Sequence, residues 1–305
     1  MTVEETFDNF ILSRRLSGLS GRTVKNYVDF VKPFVQYAGE TLNFSEVTQS
    51  LIDRYIGNLL DKSISKATLA TYIRHLKIYL RWADAEYTGS YSIRQIKVPK
   101  TPKKNIHVYS PGEIQTIFEN IHSDIPWITA RNRAIVALML DSGLRQGEVC
   151  LLQKKCVFLK QGYMTVTGKG DKDRTVPLGK ISCVCLKKYL SVCPYNLDFM
   201  FVARSGEPLS CNAIKLMVTK LARVLPFDLS SHKLRHNFAT NYCLDQYEKY
   251  GHIDIQKLMY LMGHEDAKTT SRYLHFAYEM IAVKENISHV DSVLSGKSDF
   301  FQNDL

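Results

Sequence analysis

Residues 156–178, CVFLKQGYMTVTGKGDKDRTVPL, are the stretch whose reading decides the fold of this 305-residue chain. Within it, residues 156–159, 163–167 and 174–178 are short runs rich in β-branched and aromatic side chains, each too short for a stable helix. Gln161-Gly162 and the loop GKGDKD (168–173) separate them. Brief runs punctuated by glycine turns predict a small antiparallel sheet. Outward in both directions the apolar period changes to that of a helix. Helices are expected over about 130–141 and 146–152 before the sheet, and over 181–192, 210–225 and 232–244 after it. Ser110-Pro111-Gly112-Glu113 reads as a helix start: a capping serine, proline at the first helical position and a glutamate that completes a capping box.

The first hundred residues read as four helices. Their apolar stripes are Val3/Phe7/Phe10/Ile11, Val24/Tyr27/Val28/Val31/Phe34/Val35, Leu51/Ile52/Tyr55/Ile56/Leu59/Leu60 and Leu69/Tyr72/Ile73/Leu76/Tyr79/Leu80, with Ser20 and Ser65 as caps for the second and fourth. Pro33 is the misfit, because an interior proline kinks or ends a helix. After Tyr87 the periodicity fades into KVPKTPKKN (97–105), whose prolines and lysines suit an extended linker. The expected organisation is a helical unit at 1–96, a basic linker at 97–109, a second unit at 110–284 and a tail at 285–305. The fold class is mainly α with a small antiparallel β-sheet.

Composition excludes several classes. Hydrophobic residues make up 45% and charged residues 23%, which is neither disordered nor fibrous. The longest apolar run, 134–140, falls far short of the roughly 20 residues a membrane-crossing helix needs. The N-terminus MTVEETFDNF carries acids where a secretory signal carries bases, so a cytoplasmic protein is expected. Seven cysteines without CxxC spacing (Cys150, Cys156, Cys183, Cys185, Cys193, Cys211, Cys243) read as reduced thiols.

Lys and Arg number 40 against 30 Asp and Glu, a net charge of +10. A polyanionic partner follows, and the bases cluster toward the front: residues 1–104 hold 16 of them against 10 acids, while 285–305 hold one against four. In the fourth helix Arg74, Lys77 and Arg81 interleave with the apolar stripe, and Lys100, Lys103 and Lys104 line the linker. All six are candidate contacts to a phosphate backbone.

Four motifs carry the chemistry: SGLRQGEV (142–149), TGKGDKDRTVPL (167–178), SHKLRHNFAT (231–240) and LMGHEDAKTTSRYLH (261–275). TGKGDKD lacks the spacing of a phosphate-binding P-loop, and no G-x-G-x-x-G opens a dinucleotide fold. No HExxH pair or close carboxylate group offers a metal seat, so neither cofactor nor metal is expected. Arginines, a lysine, histidines and a tyrosine are instead the parts for metal-free attack on a phosphodiester. Guanidinium groups match the non-bridging oxygens where charge develops. A lysine can protonate the leaving alkoxide and a histidine can take the nucleophile's proton. A tyrosine hydroxyl, with an ordinary pKa near 10, needs such neighbours.

Together the motifs resemble the tyrosine recombinase, or phage integrase, family, and the resemblance covers nearly the whole chain. That family's order of Arg, Lys, His-x-x-Arg, His and Tyr is met by Arg145, Lys169, His232 with Arg235, His264 and Tyr273, and its acid by Glu148. The resemblance implies a helical N-terminal DNA-binding domain, an α+β catalytic domain, and cleavage and rejoining of DNA through a 3′-phosphotyrosyl link to Tyr273. Arg145, Arg235 and His264 would hold the phosphate, Glu148 would orient Arg145, Lys169 would protonate the 5′-oxygen and His232 would accept the tyrosine proton. Lys172 and Arg174, in the same hairpin, are assigned to DNA contact, and His236 to a structural role. Tyr163, Tyr189, Tyr242 and Tyr260 read as packed side chains. The implied partner is double-stranded DNA with paired recombination sites, bound by a homotetramer of a chain that is monomeric in solution. Ile281, Val283, Ile287, Val290, Val293 and Leu294 would form a tail stripe docking on a neighbouring protomer or, alternatively, in cis on the chain's own catalytic domain. Two departures stand out: Gly147 where a serine is usual, and QYEKYGHI (246–253), which reads as a small insertion. A type IB topoisomerase and a non-catalytic DNA-binding protein are the alternatives.

Overall fold

The computed structural model describes residues 1–87, 89–101, 107–168, 172–285 and 288–294. The chain divides into two compact units, Met1–Lys104 and Asn105–Leu305. Among the described residues no helix is long and apolar enough to cross a membrane.

In the first unit, α1 (Val3–Leu16), α2 (Gly21–Ala38), α3 (Gln49–Asp61) and α4 (Lys66–Glu86) enclose one core. Ser20 and Ser65 cap α2 and α4 as their side chains allow, each accepting a backbone N–H three residues on. Tyr79 lies fully buried at the centre, its ring edge-on to Phe7, Phe10 and Phe44 and its hydroxyl donating to the Val3 carbonyl at 3.3 Å. Packing therefore places the polar end of this aromatic on a partner, as burial requires. Contrary to the sequence expectation, α2 continues through Pro33. The carbonyl that loses its helical partner belongs to Asp29, an exposed residue where water can substitute.

The second unit starts with α5 (Pro111–Glu119), whose Ser110–Glu113 capping box forms in both directions. In α6 (Pro126–Asp141) residues 134–139 are all buried, so the longest apolar run of the sequence is a central core helix, apolar on every side. After α7 (Gln146–Leu151) come β1 (Val157–Phe158), β2 (Tyr163–Thr167) and β3 (Asp173–Pro177), an antiparallel sheet in that order. Met164 pairs with Val176 and Val166 with Arg174, and all four are buried on one face. Then follow α8 (Lys180–Val192), α9 (Cys211–Ala222), α10 (Ser231–Tyr250), α11 (Ile255–Met262), α12 (Ala267–Glu285) and α13 (His289–Leu294).

The polar stretch 246–253 does not form a separate loop. It prolongs α10 to Tyr250, and Gly251 in the left-handed conformation (φ +71°) ends it. Asn237 of α10 accepts from the Tyr109 N–H at 2.6 Å and donates to the His107 carbonyl at 2.9 Å, tying the entering chain to the helix that carries Arg235. Of the expected tail stripe, Ile281 is buried on α12, while Val283, Val290 and Val293 are exposed. Ile287 lies outside the described residues, as does the Leu294 side chain.

Candidate active site

The site is assembled from the end of one short helix. Gly263 caps α11 in the left-handed conformation (φ +57°), and the N–H groups of Gly263 and His264 close the last helical bonds onto Tyr260 and Met259. The carbonyls of Leu261, Met262 and Gly263 are left without helical partners at the negative end of the helix dipole. Three arginines from three other elements take them: Arg174 Nε donates to Leu261 at 2.9 Å, Arg235 Nη2 to Met262, and Arg145 Nη2 to Gly263 at 2.6 Å.

Glu148 binds the same arginines from the other side. Its oxygens accept from Arg174 Nη1 and Nη2 at 2.8 and 2.9 Å and from Arg145 Nη1 at 2.8 Å, and Arg235 Nη1 stands 3.8 Å away. Burial alone would raise the Glu148 carboxyl, but the bonds to Arg174 and Arg145 outweigh it and hold it below the ordinary carboxylate range. The Arg145–Glu148 spacing, which by itself could be a surface ion pair, is part of a network whose carboxylate is 5% exposed. One carboxylate among three guanidiniums leaves a net positive charge, and Arg145 remains about a third exposed. That is a seat for an anion with two or three oxygens to share.

Arg174 is a correction to the sequence reading. It was expected on DNA, but its guanidinium is 6% exposed and directed to Glu148 and the Leu261 carbonyl. Strand alternation carried the signal, since Arg174 is in phase with the buried Val176. Burial, with Arg145 next, pushes Arg235 down to about 10, which keeps it charged at neutral pH. Arg235 Nη1 also donates to the Gly143 carbonyl, in the S-G-L-R turn where φ is +60° and a Cβ would meet the Phe238 ring at 2.2 Å.

His264 Nε2 lies 3.2 Å from Arg235 Nη2 and its Nδ1 2.8 Å from Thr270 Oγ1. Because arginine only donates, Nε2 is the acceptor and Nδ1 donates to the threonine. Burial, then Arg235, lowers His264 to about 4, so it is neutral near pH 7. The ring of Tyr273, only 2% exposed, lies 6.3 Å from that of His264 with the planes 13° apart, and Arg272 covers its face at 5.0 Å. Burial raises the Tyr273 hydroxyl above its ordinary value, opposed by Arg272 and Arg235.

The histidine on that hydroxyl is not the expected one. His232 is exposed near the start of α10, whereas His236, one turn later, has Nδ1 2.6 Å from Tyr273 Oη. His232, expected to take the tyrosine proton, is not the histidine in contact with the hydroxyl: the i, i+4 spacing puts the two histidines in one stack, 6.2 Å apart, and His236 is the inner one. Arg272, which no motif singled out, sits on His236.

Lys169 lies outside the described residues. Gly168 before it is close enough to the cluster that a Cβ there would sit 3.4 Å from Arg174 Nη1 and 3.8 Å from Glu148 Oε1. Lys172 is exposed and 3.5 Å from the exposed Glu265, a contact worth under about 1 kcal/mol. In the first unit Arg74 and Arg81 are exposed on α4, but Lys77 donates to the Ile96 carbonyl at 2.7 Å. Lys100 is exposed, and Lys103 and Lys104 lie outside the described residues. Tyr189 is fully buried, whereas Tyr260 is exposed and accepts from the Thr175 N–H, so it is not the packed side chain expected.

The family model for an N-terminal SAM-like domain of phage integrases matches residues 7–88, and the model of the phage integrase family itself matches 108–280. Curated relatives include tyrosine recombinase XerD of Staphylococcus aureus, 28% identical over 300 residues and covering 94% of this chain and 98% of that protein. Tyrosine recombinase XerA of Thermococcus kodakarensis is 25% identical, covering 96% and 98%. A lambda integrase dimer bound to a COC′ core site shares the fold at TM-score 0.71 and 20% identity, over 90% of this chain and 95% of that one. XerH bound to a palindromic difH substrate does so at TM-score 0.70 and 21% identity, over 87% and 79%. The match at 108–280 spans more than half of the chain and contains every one of the arginines, histidines and the tyrosine that converge on α11, and on that ground the chain belongs to the phage integrase family.

Proposed function

We propose that the protein is a site-specific DNA recombinase in which Tyr273 Oη attacks a scissile phosphate, forming a 3′-phosphotyrosyl bond and releasing a 5′-hydroxyl that later attacks the phosphotyrosine of a partner strand. The energy of the broken phosphodiester is kept in the covalent link, so the reaction is expected to run without nucleotide or metal. The observation that carries this reading is the anion seat formed by Arg145 and Arg235 around Glu148, next to the Tyr273 and His264 rings. Arg145, Arg235 and His264 hold the non-bridging oxygens as charge builds on them. Glu148, with Arg174 behind it, fixes the angle of Arg145. Lys169, by resemblance, protonates the leaving 5′-oxygen. His232, by resemblance, accepts the Tyr273 proton, directly or through the stacked His236.

The substrate is double-stranded DNA carrying paired sites, held by the helical first unit, the linker lysines and the second unit. The assembly is a tetramer on DNA built from monomers in solution, with the tail of one protomer seated on the next. The compartment is the cytoplasm, where the DNA is. A duplex selected from a random pool by binding alone, then nicked and offered in chelator, tests the reaction. A denaturant-resistant protein–DNA adduct with the wild-type chain and none with Tyr273→Phe is the expected result. An adduct formed by Tyr273→Phe overturns the assignment, and rapid relaxation of supercoiled plasmid lacking the selected site replaces it with a topoisomerase.

A further inference from the structure

Four arginines stand at the site, and three of them gather around Glu148. Arg145 and Arg174 hydrogen-bond to it, and Arg235 lies 3.8 Å from it. The fourth, Arg272, is held differently. Among the described residues no carboxylate lies within ion-pair distance of its guanidinium, and no main-chain carbonyl accepts from it. Its contacts are rings. Cζ is 5.0 Å from the Tyr273 ring centroid, and Nη2 is 2.6 and 3.1 Å from the two ring nitrogens of His236, so the group lies over the imidazole. That imidazole offers no counter-charge, because burial, with Arg272 next, lowers His236 to about 4 and keeps it neutral at pH 7.

Arg272 is exposed, whereas Tyr273 beneath it is 2% exposed. A reactant that reaches Oη from solvent therefore meets the guanidinium over the ring. The charge is felt at the oxygen: burial raises the Tyr273 hydroxyl, and Arg272 leads the groups that oppose it. A phosphate oxygen is a charged acceptor that the guanidinium fork fits, and it outcompetes a neutral imidazole. We propose that Arg272 is a further catalytic residue, which exchanges the His236 ring for a non-bridging oxygen of the scissile phosphate and is the one guanidinium of the site whose counter-ion is the substrate alone. In the reaction Oη gives up its proton and bonds to phosphorus, the P–O5′ bond breaks and O5′ takes up a proton. The phosphodiester bears one negative charge before and after, and the charge that builds on its non-bridging oxygens in between is what Arg272 stabilises. Around one carboxylate the other three guanidiniums leave two net positive charges, and Arg272 adds a third on the side of the nucleophile.

This inference rests on Tyr273 being the nucleophile, and the test separates the two. The selected duplex is prepared with the ordinary phosphate at the position where wild type forms its adduct, and with a neutral methylphosphonate there. Single-turnover cleavage at saturating protein is followed for wild type, Arg272→Leu and Arg272→Lys. On the phosphate, Arg272→Leu should cleave about 100-fold more slowly, and Arg272→Lys, which keeps the charge without the fork, should lose less. On the phosphonate, where there is no charge to hold, Arg272→Leu and wild type should differ by about 3-fold at most, because the two changes remove one and the same contact. An equal loss on both duplexes overturns the contact and leaves Arg272 a packing residue. Wild-type cleavage at saturation, with only affinity and salt slope reduced, overturns it too and moves Arg272 to a phosphate elsewhere on the backbone. Should Arg272→Leu lose the wild-type circular dichroism, Arg272→Lys decides in the same way: a loss confined to the phosphate duplex supports the contact, and an equal loss or none overturns it. Equal adduct yield from wild type and Tyr273→Phe removes the recombinase reading and this inference with it.

Discussion

Arg174 and Glu148 meet fork to fork beneath the site, with both guanidinium Nη atoms on both carboxylate oxygens at 2.8 and 2.9 Å, and neither side chain is more than 6% exposed. Beside this buried pair Arg145 remains about a third exposed, whereas Arg235 is as buried as Arg174. The geometry of the pair explains how three like charges can share one helix end. Removing the arginine leaves a buried carboxylate with only Arg145 and the more distant Arg235 to compensate it. Arg174→Ala is therefore expected to destabilise the second unit by about 3–5 kcal/mol, read by urea unfolding. Arg174→Lys, a point charge without the fork, should recover only part of that loss.

The S-G-L-R turn is the tightest backbone in the site. At Gly143 a methyl group would strike the Phe238 ring at 2.2 Å, and φ is +60°. Left-handed strain of about 1–2 kcal/mol adds to overpacking of about 1–3 kcal/mol. Gly143→Ala should lower the unfolding midpoint clearly and reduce strand cleavage by displacing the carbonyl that Arg235 holds.

Acid should unfold the second unit earlier than its carboxylates alone dictate. His236 and His264 are each lowered from an ordinary 6.5 to about 4 in the fold, chiefly by burial. Between those values the unfolded chain binds protons that the folded chain does not. Stability due to these histidines is therefore complete above about pH 6.5 and is lost as pH falls toward 4. Urea midpoints measured from pH 4 to 7 should rise with pH in wild type, and the rise should be shallower in His264→Asn.

Not every basic residue on α4 should behave alike. Arg74 and Arg81 are exposed, whereas Lys77 is committed to the Ile96 carbonyl. Replacing Arg74 or Arg81 by alanine should weaken DNA binding and lower the salt slope by about 1 each, measured by gel shift at several ionic strengths. Lys77→Ala should instead loosen the segment around Ile96, lowering the thermal midpoint with little change in that slope.

Truncation from Asn286 onward should leave binding to a single half-site nearly intact and abolish cooperative assembly on paired sites. Gel shift and light scattering on the truncated chain check this, and an undiminished tetramer on DNA would refute tail exchange.

Most of the architecture was legible in the sequence because its signals are local. A serine three residues before a glutamate, alternation at 163–167 and 174–178, and an apolar run at 134–140 act through neighbours a few positions away, and the helices, hairpin and core helix follow. The order of Arg145, Glu148, Arg235, His264 and Tyr273 was legible for the same reason: each sits in a short motif. Boundaries set by tertiary contact were less so, as in α10, which absorbs 246–250 as extra helix.

What only the tertiary structure decided is which side chains spend their donors on one another. Arg174 and Lys172 are two apart in the same hairpin, but Arg174 lies within β3 on its buried face and enters the Glu148 network, whereas Lys172 precedes the strand and stays at the surface. His232 and His236 are one helical turn apart and chemically identical. Only the approach of α12 puts Tyr273 Oη on the second and Arg272 across it. Sequence fixes residue types and local conformation; the partner of a hydrogen bond between residues 37 apart depends on how two helices pack.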